Sequence, residues 1–302
     1  MGNGLVINHS STLAESPTSS KPTPVLSAVS TTQTHGPIPF AAELLGIDHS
    51  QYAIWIRTFG RLRVYVDYRE IPSKEWRYPK VQSLLRFLLL HPGNVPLDQV
   101  LETIWPDLPP ERARQNFAVA LHHLRKAVEP DKDKPHRSQL ILYKDKQVRL
   151  DHSSILTDRN LFLKLWDHVQ KAGLLPEEQQ PFLMALTSLY AGPLYEDEPY
   201  EDWCAVERQR LSDIYVLARE ALARLAFEAN NLNLCVQHCQ EVLVVEPLHE
   251  PAHLLLLQAY QVMGHRARAV THYHQLRKQL DDELGVPPSE PIRQLYEEIL
   301  NT

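Results

Sequence analysis

The stretch from Pro109 to Leu150 constrains this 302-residue chain more than any other. In PERARQNFAVALHHLRKAVEP, apolar residues recur at Ala113, Phe117, Leu121, Leu124 and Val128, so one stripe of a helix from Pro110 to Pro130 is buried. The remaining faces carry Arg112, Arg114, Gln115, Asn116, His122, His123, Arg125 and Lys126. After a polar loop, LILYKDKQVRL predicts two short strands around Lys144–Asp145–Lys146. A helix rich in Arg, Gln and Asn can read base edges from the major groove, and a lysine-tipped hairpin can reach the adjoining backbone. The pair predicts a winged helix on double-stranded DNA.

Charge is divided along the chain in a way that fits this reading. From Tyr52 to His152 there are 18 Lys and Arg against 12 Asp and Glu, net +6, whereas Ser153 to Thr302 is net −10. A basic segment beside an acidic one suits a DNA module joined to a protein-binding module. Apolar content of 43% supports real cores. No apolar run approaches the roughly 20 residues that a membrane helix needs, and no secretory signal opens the chain, so no membrane association is expected. Three cysteines, Cys204, Cys235 and Cys239, do not make a disulfide framework. A reducing bacterial cytoplasm, on the nucleoid, is the expected location.

Three segments follow from composition and pattern. Residues 1–50 are rich in Ser, Thr and Pro and predict a disordered tail, with a helical turn allowed at Ala41 to Gly46. Residues 51–152 open with strand character from Ile54 to Pro72 and a turn at Phe59–Gly60–Arg61, and Glu75–Trp76–Arg77 suggests a third strand. Helices are predicted from Pro79 to Leu90 and Pro96 to Trp105, then a proline-rich connector, the basic helix and the hairpin. Residues 153–302 read as helical throughout, with helices at Asp158 to Lys171, Pro181 to Tyr190 and Tyr200 to Asn230. A 34-residue repeat matches Leu222 to Leu256, Ala226 to Tyr260, Asn230 to Gly264, Cys235 to Ala269 and Cys239 to Tyr273. That period is the tetratricopeptide spacing, found in solenoids that bind protein or dimerise. The expected fold class is mainly α with a small β component: an N-terminal α+β winged helix followed by an all-α, tetratricopeptide-like repeat domain.

These residues also carry a family likeness. WRYPKVQSLLRFLLLHPGNVPLDQVLETIWPDLPPERARQNFAVALHHLRKAV resembles the OmpR-type DNA-binding half of the Streptomyces antibiotic regulatory protein family. ALTSLYAGPLYED, EDWCAVERQRL and the segment from Val245 to Leu300, with its DELGVPP ending, resemble that family's bacterial transcriptional activator domain. The resemblance implies an activator that binds promoter direct repeats in tandem, self-associates on DNA and contacts RNA polymerase. It also departs from its neighbours. No GxxxxGK[ST] occurs, so ATP-driven switching is not supported. Only about 50 residues precede the sheet, so control through a receiver aspartate is not expected. The hairpin lacks the Gly-x-Gly-Tyr segment common in response regulators.

For the DNA face, Gln115, Asn116, Val119, His122 and His123 are the base-contact candidates: Gln and Asn pair with adenine, and Val meets a thymine methyl. Arg112, Arg114, Arg125 and Lys126 suit phosphates, and Lys144, Lys146 and Arg149 suit the wing. A metal at His122 and His123 is disfavoured, because adjacent helical residues diverge by about 100°. Cys235 and Cys239, with His238 between them, read as packing positions, and His272 and His274 do not stand out. The acidic run Glu196, Asp197, Glu198, Glu201 and Asp202 reads as a solvated face or helix cap rather than a catalytic pair. No nucleophile with its base, metal cluster or phosphate loop is visible, so no enzyme activity, metal or cofactor is expected. The competing reading is a protein-interaction adaptor with little or no DNA binding.

Overall fold

The alternation of β1 (Ile54–Arg57) decides the architecture. Ile54 and Ile56 face one apolar core, and Trp55 between them packs on another. The computed structural model describes Met1, residues 37–129 and residues 139–301. In it β1 pairs antiparallel with β2 (Arg63–Val66), which pairs with β3 (Arg69–Glu70). Ile56 lies opposite Val64 in this register, so both belong to the first core. A distant strand completes the sheet. After a hairpin of β5 (Ile141–Lys144) and β6 (Gln147–Leu150), the chain returns as β7 (Ile155–Thr157) and pairs parallel with β1, Ile54 opposite Ile155. Parallel neighbours require a long crossover, and here the crossover is the whole winged helix.

The first core holds that crossover. It contains α2 (Pro79–Leu90), α3 (Leu97–Ile104) and α4 (Pro110–Val128), with Leu84, Leu88, Val100, Ile104, Phe117 and Leu124 at its centre. A short β4 (Val95–Pro96) ties the hairpin to this body through Val95 and Val148. The second core lies across the sheet and holds α5 (Asp158–Lys171), α6 (Pro176–Leu189) and the first half of α7 (Ala205–Glu228). A third core follows, with α8 (Leu232–Val245), α9 (Glu250–Val262), α10 (Arg266–Leu284) and α11 (Glu290–Asn301). No described helix is long and apolar enough to cross a membrane.

The 34-residue repeat is exact in its hydrogen bonds. Asn231 donates its backbone N–H to Ala226 at 2.8 Å, and His265 donates to Tyr260 at 2.8 Å, one period later. Asn230 and Gly264 both take left-handed backbone, φ 55° and 70°, to close these helix ends. Cys235 and Ala269 are buried at equivalent places, as their small size requires. Cys235 and Cys239 are free, buried thiols at packing positions.

Four expectations are corrected. The tail does not extend to residue 50: α1 (Pro37–Leu44) is a helix that buries Ile38, Ala41 and Ala42 against the second core. Eight residues do not hold a helix alone, so only that tertiary contact reveals it. Residues 2–36, and the polar loop at 130–138, lie outside the described residues. The third strand is Arg69–Glu70, not Glu75–Arg77, where the chain turns as a short 3-10 helix at Ser73–Glu75. The sixth helix starts a turn early at Pro176, where Glu178 accepts the N–H of Leu175 at 2.9 Å. The seventh starts at Ala205 rather than Tyr200.

Only part of the acidic run is a solvated face: Glu196 and Asp202 are exposed, whereas Asp197 and Glu198 pair with α2. Asp197 and Glu198 both form ion pairs with Arg86 of α2, which is 1% exposed, and Ser83 donates to Glu198 at 2.9 Å. Tyr195 donates its hydroxyl to the Arg86 carbonyl at 3.3 Å. Nearby, Phe59 and Leu194 form a β-bridge, and Gly60 and Gly192 approach closely enough that a side chain would crowd the backbone. The ALTSLYAGPLYED segment therefore fastens the helical half onto the winged helix.

Candidate nucleic-acid interface

α4 forms because its sequence satisfies both its ends and one face. Pro110 occupies the first position, where no N–H is needed, and Glu111 and Arg125–Lys126 complement the helix dipole. Ala113, Phe117, Ala120, Leu121, Leu124, Ala127 and Val128 are buried. Gln115, Val119, His122 and Lys126, spaced i, i+4, i+7 and i+11, form the outward ridge, all exposed. Val119 is 49% exposed, an apolar β-branched side chain left uncovered in the middle of a polar ridge. Arg112 is exposed one turn toward the helix start.

Two walls flank this ridge. On one side stands the wing. Its two-residue turn places Asp145 and Lys146 at φ 50° and 57°, the left-handed pair of a tight hairpin. Lys144, Lys146 and Arg149 are exposed, while Val148 and Leu150 point inward. The edge of Phe117 meets the Tyr143 ring at 5.4 Å, and Arg114, Leu121, His122, Arg125 and Tyr143 line a groove of about 470 Å³. Arg114 also lies 4.0 Å from Asp98. On the other side stands the turn before α2. There Asn116 and Val119 share a groove of about 320 Å³ with Tyr78, Lys80 and Trp105, and His123 packs its ring 5.6 Å from Tyr78.

The site candidates thus separate by direction. Gln115, Val119, His122 and Lys126 project from the ridge, whereas Asn116 and His123 turn toward Tyr78. Arg125 is engaged within the protein: its Nε and Nη2 donate to the Ile141 carbonyl at 3.1 and 2.7 Å. It clamps the wing to α4 and is half-buried, which removes it from the freely available phosphate donors. Burial, then the neighbouring His122, Arg77 and Lys126 charges, hold His123 below the usual histidine range. It is neutral at pH 7 and can both donate and accept. Sequence reasoning missed Arg77, Tyr78, Lys80 and Tyr143. WRYP was visible as a motif, but its nearness to α4 is a property of the folded chain.

The other candidate clusters have internal partners. His122 and His123 have ring centres 5.4 Å apart and 70° between planes. Among the described residues, no three His, Cys, Asp or Glu side chains are grouped to hold a metal ion. His253 and His272 meet within the repeats, Nδ1 to Nε2, at 2.8 Å.

The chain is similar to known transcriptional regulators. Residues 158–300 match the bacterial transcriptional activator domain. The chain is 25% identical to the transcriptional regulatory protein MoaR1 of Mycobacterium tuberculosis over 230 residues, 74% of this chain and 72% of that one. It is 27% identical to the transcriptional regulator RedD of Streptomyces coelicolor, covering 74% of this chain and 65% of RedD. It is 24% identical to the transcriptional regulatory protein EmbR of M. tuberculosis, covering 80% of this chain and 62% of EmbR. The solved structure of M. tuberculosis EmbR in complex with a low affinity phosphopeptide has the same fold, with TM-score 0.66 and 22% identity over 82% of this chain and 65% of that one. The chain is a transcriptional regulator similar to MoaR1, RedD and EmbR, and its second half matches the bacterial transcriptional activator domain.

Proposed function

We propose that this chain binds promoter DNA through α4 and the wing, in tandem on direct repeats, and activates transcription by contacting RNA polymerase. The observation that carries the reading is the ridge of Gln115, Val119, His122 and Lys126, exposed between two walls that bear Arg114, Lys144 and Lys146 on one side and Lys80 on the other. A helix about 10–12 Å across fits a major groove about 12 Å wide. The ridge then offers Gln115 to a base edge and Val119 to a thymine methyl, with Asn116 and His123 reading from its flank. Arg112, Arg114, Lys126, Lys144, Lys146 and Arg149 serve the phosphates. The likeness of the second half to the activator domain supports the polymerase contact and self-association on DNA. In this reading the protein works in the bacterial cytoplasm by binding rather than by catalysis.

Selection of bound sequences from a random duplex pool, using the full chain, tests the reading. The expected result is a direct repeat with half-sites about one helical turn apart and an affinity that falls steeply with salt as counterions are released. Folded protein that enriches no sequence and binds no duplex at low salt would leave the adaptor reading, in which the helical repeats alone engage a protein partner.

A further inference from the structure

The wing supplies cations on only one side of α4. A helix lying in the major groove meets two sugar–phosphate backbones, one at each lip. The candidates named so far leave the second lip thinly served. In this structure the second wall is the turn Trp76–Arg77–Tyr78, and three features set it apart.

First, Arg77 has φ 59°, left-handed backbone that an arginine rarely adopts. Tyr78 closes the turn by donating its N–H to the Trp76 carbonyl at 2.6 Å. Trp76 is buried in the first core and Pro79 begins α2, so the turn is held from both ends. Rarely populated backbone survives where its surroundings over-determine it, and such positions gather at functional sites. Second, the turn projects its two side chains outward. Arg77 is exposed, and Tyr78 is 51% exposed although large and aromatic. Third, the turn is in register with α4. The Tyr78 ring lies against His123, and Tyr78 shares its groove with Asn116 and Val119. His123 and Arg125 lie two residues apart, about 200° around the helix, and they face Tyr78 and the wing respectively. Lys80, on the same wall, is 3.7 Å from Glu201 and so is shared with the helical half.

We propose that Arg77 and Tyr78 seat a backbone phosphate on the DNA strand opposite the one held by the wing. The guanidinium of Arg77 pairs with the phosphate, and the Tyr78 hydroxyl donates to it. Tyr78 also holds His123 and so sets how far Asn116 and His123 reach toward the bases. This inference rests on the DNA-binding reading above and names a contact within it.

The test uses the full chain and a duplex from the selection, with binding followed by fluorescence anisotropy across a salt series. Arg77→Gln is expected to weaken binding similarly on all sequences and to lower the salt slope by about 0.9. Arg77→Lys should retain that slope. Arg77→Gly relaxes the left-handed backbone while removing the charge, so the same loss in Arg77→Gly separates charge from folding. Neutral methylphosphonates placed one at a time then locate the contact. One position should weaken the wild type but not Arg77→Gly, and it should differ from the position masked by Lys146→Gln. Arg77→Gly that binds with wild-type affinity and slope, on a duplex the wild type binds well, overturns this inference alone. Wild-type protein that binds no duplex at any salt overturns the DNA-binding reading and this contact together.

Discussion

The carboxylate of Asp158 accepts the backbone N–H of Thr58 at 2.8 Å across one hundred residues of chain. It also accepts the Thr58 hydroxyl at 2.7 Å and the Phe59 N–H at 3.2 Å. Asp158 is the first residue of α5, where its charge favours the helix N-terminus, and Thr157 caps that helix through Asn160 at 3.0 Å. One side chain thus joins the end of β1 to the first helix of the activator half.

Asp158→Ala strands the N–H groups of Thr58 and Phe59 in a buried place. The expected loss is about 3 kcal/mol of stability, because unsatisfied buried donors keep their desolvation cost. Thr58→Val removes only the hydroxyl and should cost about 1 kcal/mol. Chemical denaturation of the full chain reads both. Burial pushes the Asp158 carboxyl up to about 6, against hydrogen bonds that favour its charged form. Its pKa is raised on folding, so the protonated form is favoured in the fold, and its contribution weakens as pH rises from about 4 to about 6. That slope should vanish in Asp158→Ala.

The pairing of Arg86 with Asp197 and Glu198 is buried on the arginine side. Arg86→Met leaves Glu198, 17% exposed, beside apolar surface without its cation. Removing one partner of a buried pair costs about 3 kcal/mol, whereas the intact pair adds little over an apolar replacement. Urea unfolding should therefore show a much larger loss for Arg86→Met than for a triple change that also makes Asp197 and Glu198 apolar. Equal losses in the two variants would mean that the pair does not act as a unit.

His253 and His272 give the fold an acid limit. Nε2 of His253 lies 2.8 Å from the Pro247 carbonyl, which can only accept, so that nitrogen carries the proton. Nδ1 of neutral His253 then accepts from Nε2 of His272 at 2.8 Å. Charging His253 puts a proton on the nitrogen that accepts from His272, and charging both buried rings sets two cations together. Burial, then the neighbouring His253, lowers His272 to about 4, and burial also lowers His253. Both are depressed below the unfolded value of about 6.5, so their stabilisation is complete above pH 6.5 and is lost as pH falls toward 4. The change runs opposite in sign to that of Asp158 over an overlapping window. Thermal unfolding between pH 7 and 4 should show a shallower acid loss in His272→Gln than in the wild type. An unchanged acid slope would rule the pair out.

The two repeat turns should respond differently to substitution. Gly264 has φ 70° with open space around it, so Gly264→Ala costs only backbone strain, about 1 kcal/mol. Asn230, at φ 55°, already tolerates that conformation, and Asn230→Gly should change stability by less than about 0.5 kcal/mol. A thermal melt of each variant distinguishes them.

Much of this molecule is legible in the chain. The stripe of Ala113, Phe117, Leu121, Leu124 and Val128 is buried as its spacing requires. The helices from Pro79 and Asp158 and the hairpin around Asp145 stand at their expected places. What was illegible is of one kind. α1 is too short to signal itself, and the acidic run is locally indistinguishable from a solvated loop. Arg125 looks like its neighbour Lys126 until Ile141 arrives beside it.

Periodicity, turn residues and the 34-residue repeat are written locally, so the sequence by itself determined most of the helices, the wing and the repeat architecture, but not α1 or the starts of α6 and α7. Which polar side chains are free and which are spent was decided only by the tertiary structure. Arg86, Arg125 and Asp158 are held by partners 16 to 112 residues away. Burial and pairing depend on distances through space, and no local pattern encodes them. The same is true of Tyr78, which reaches α4 only because α2 packs against it.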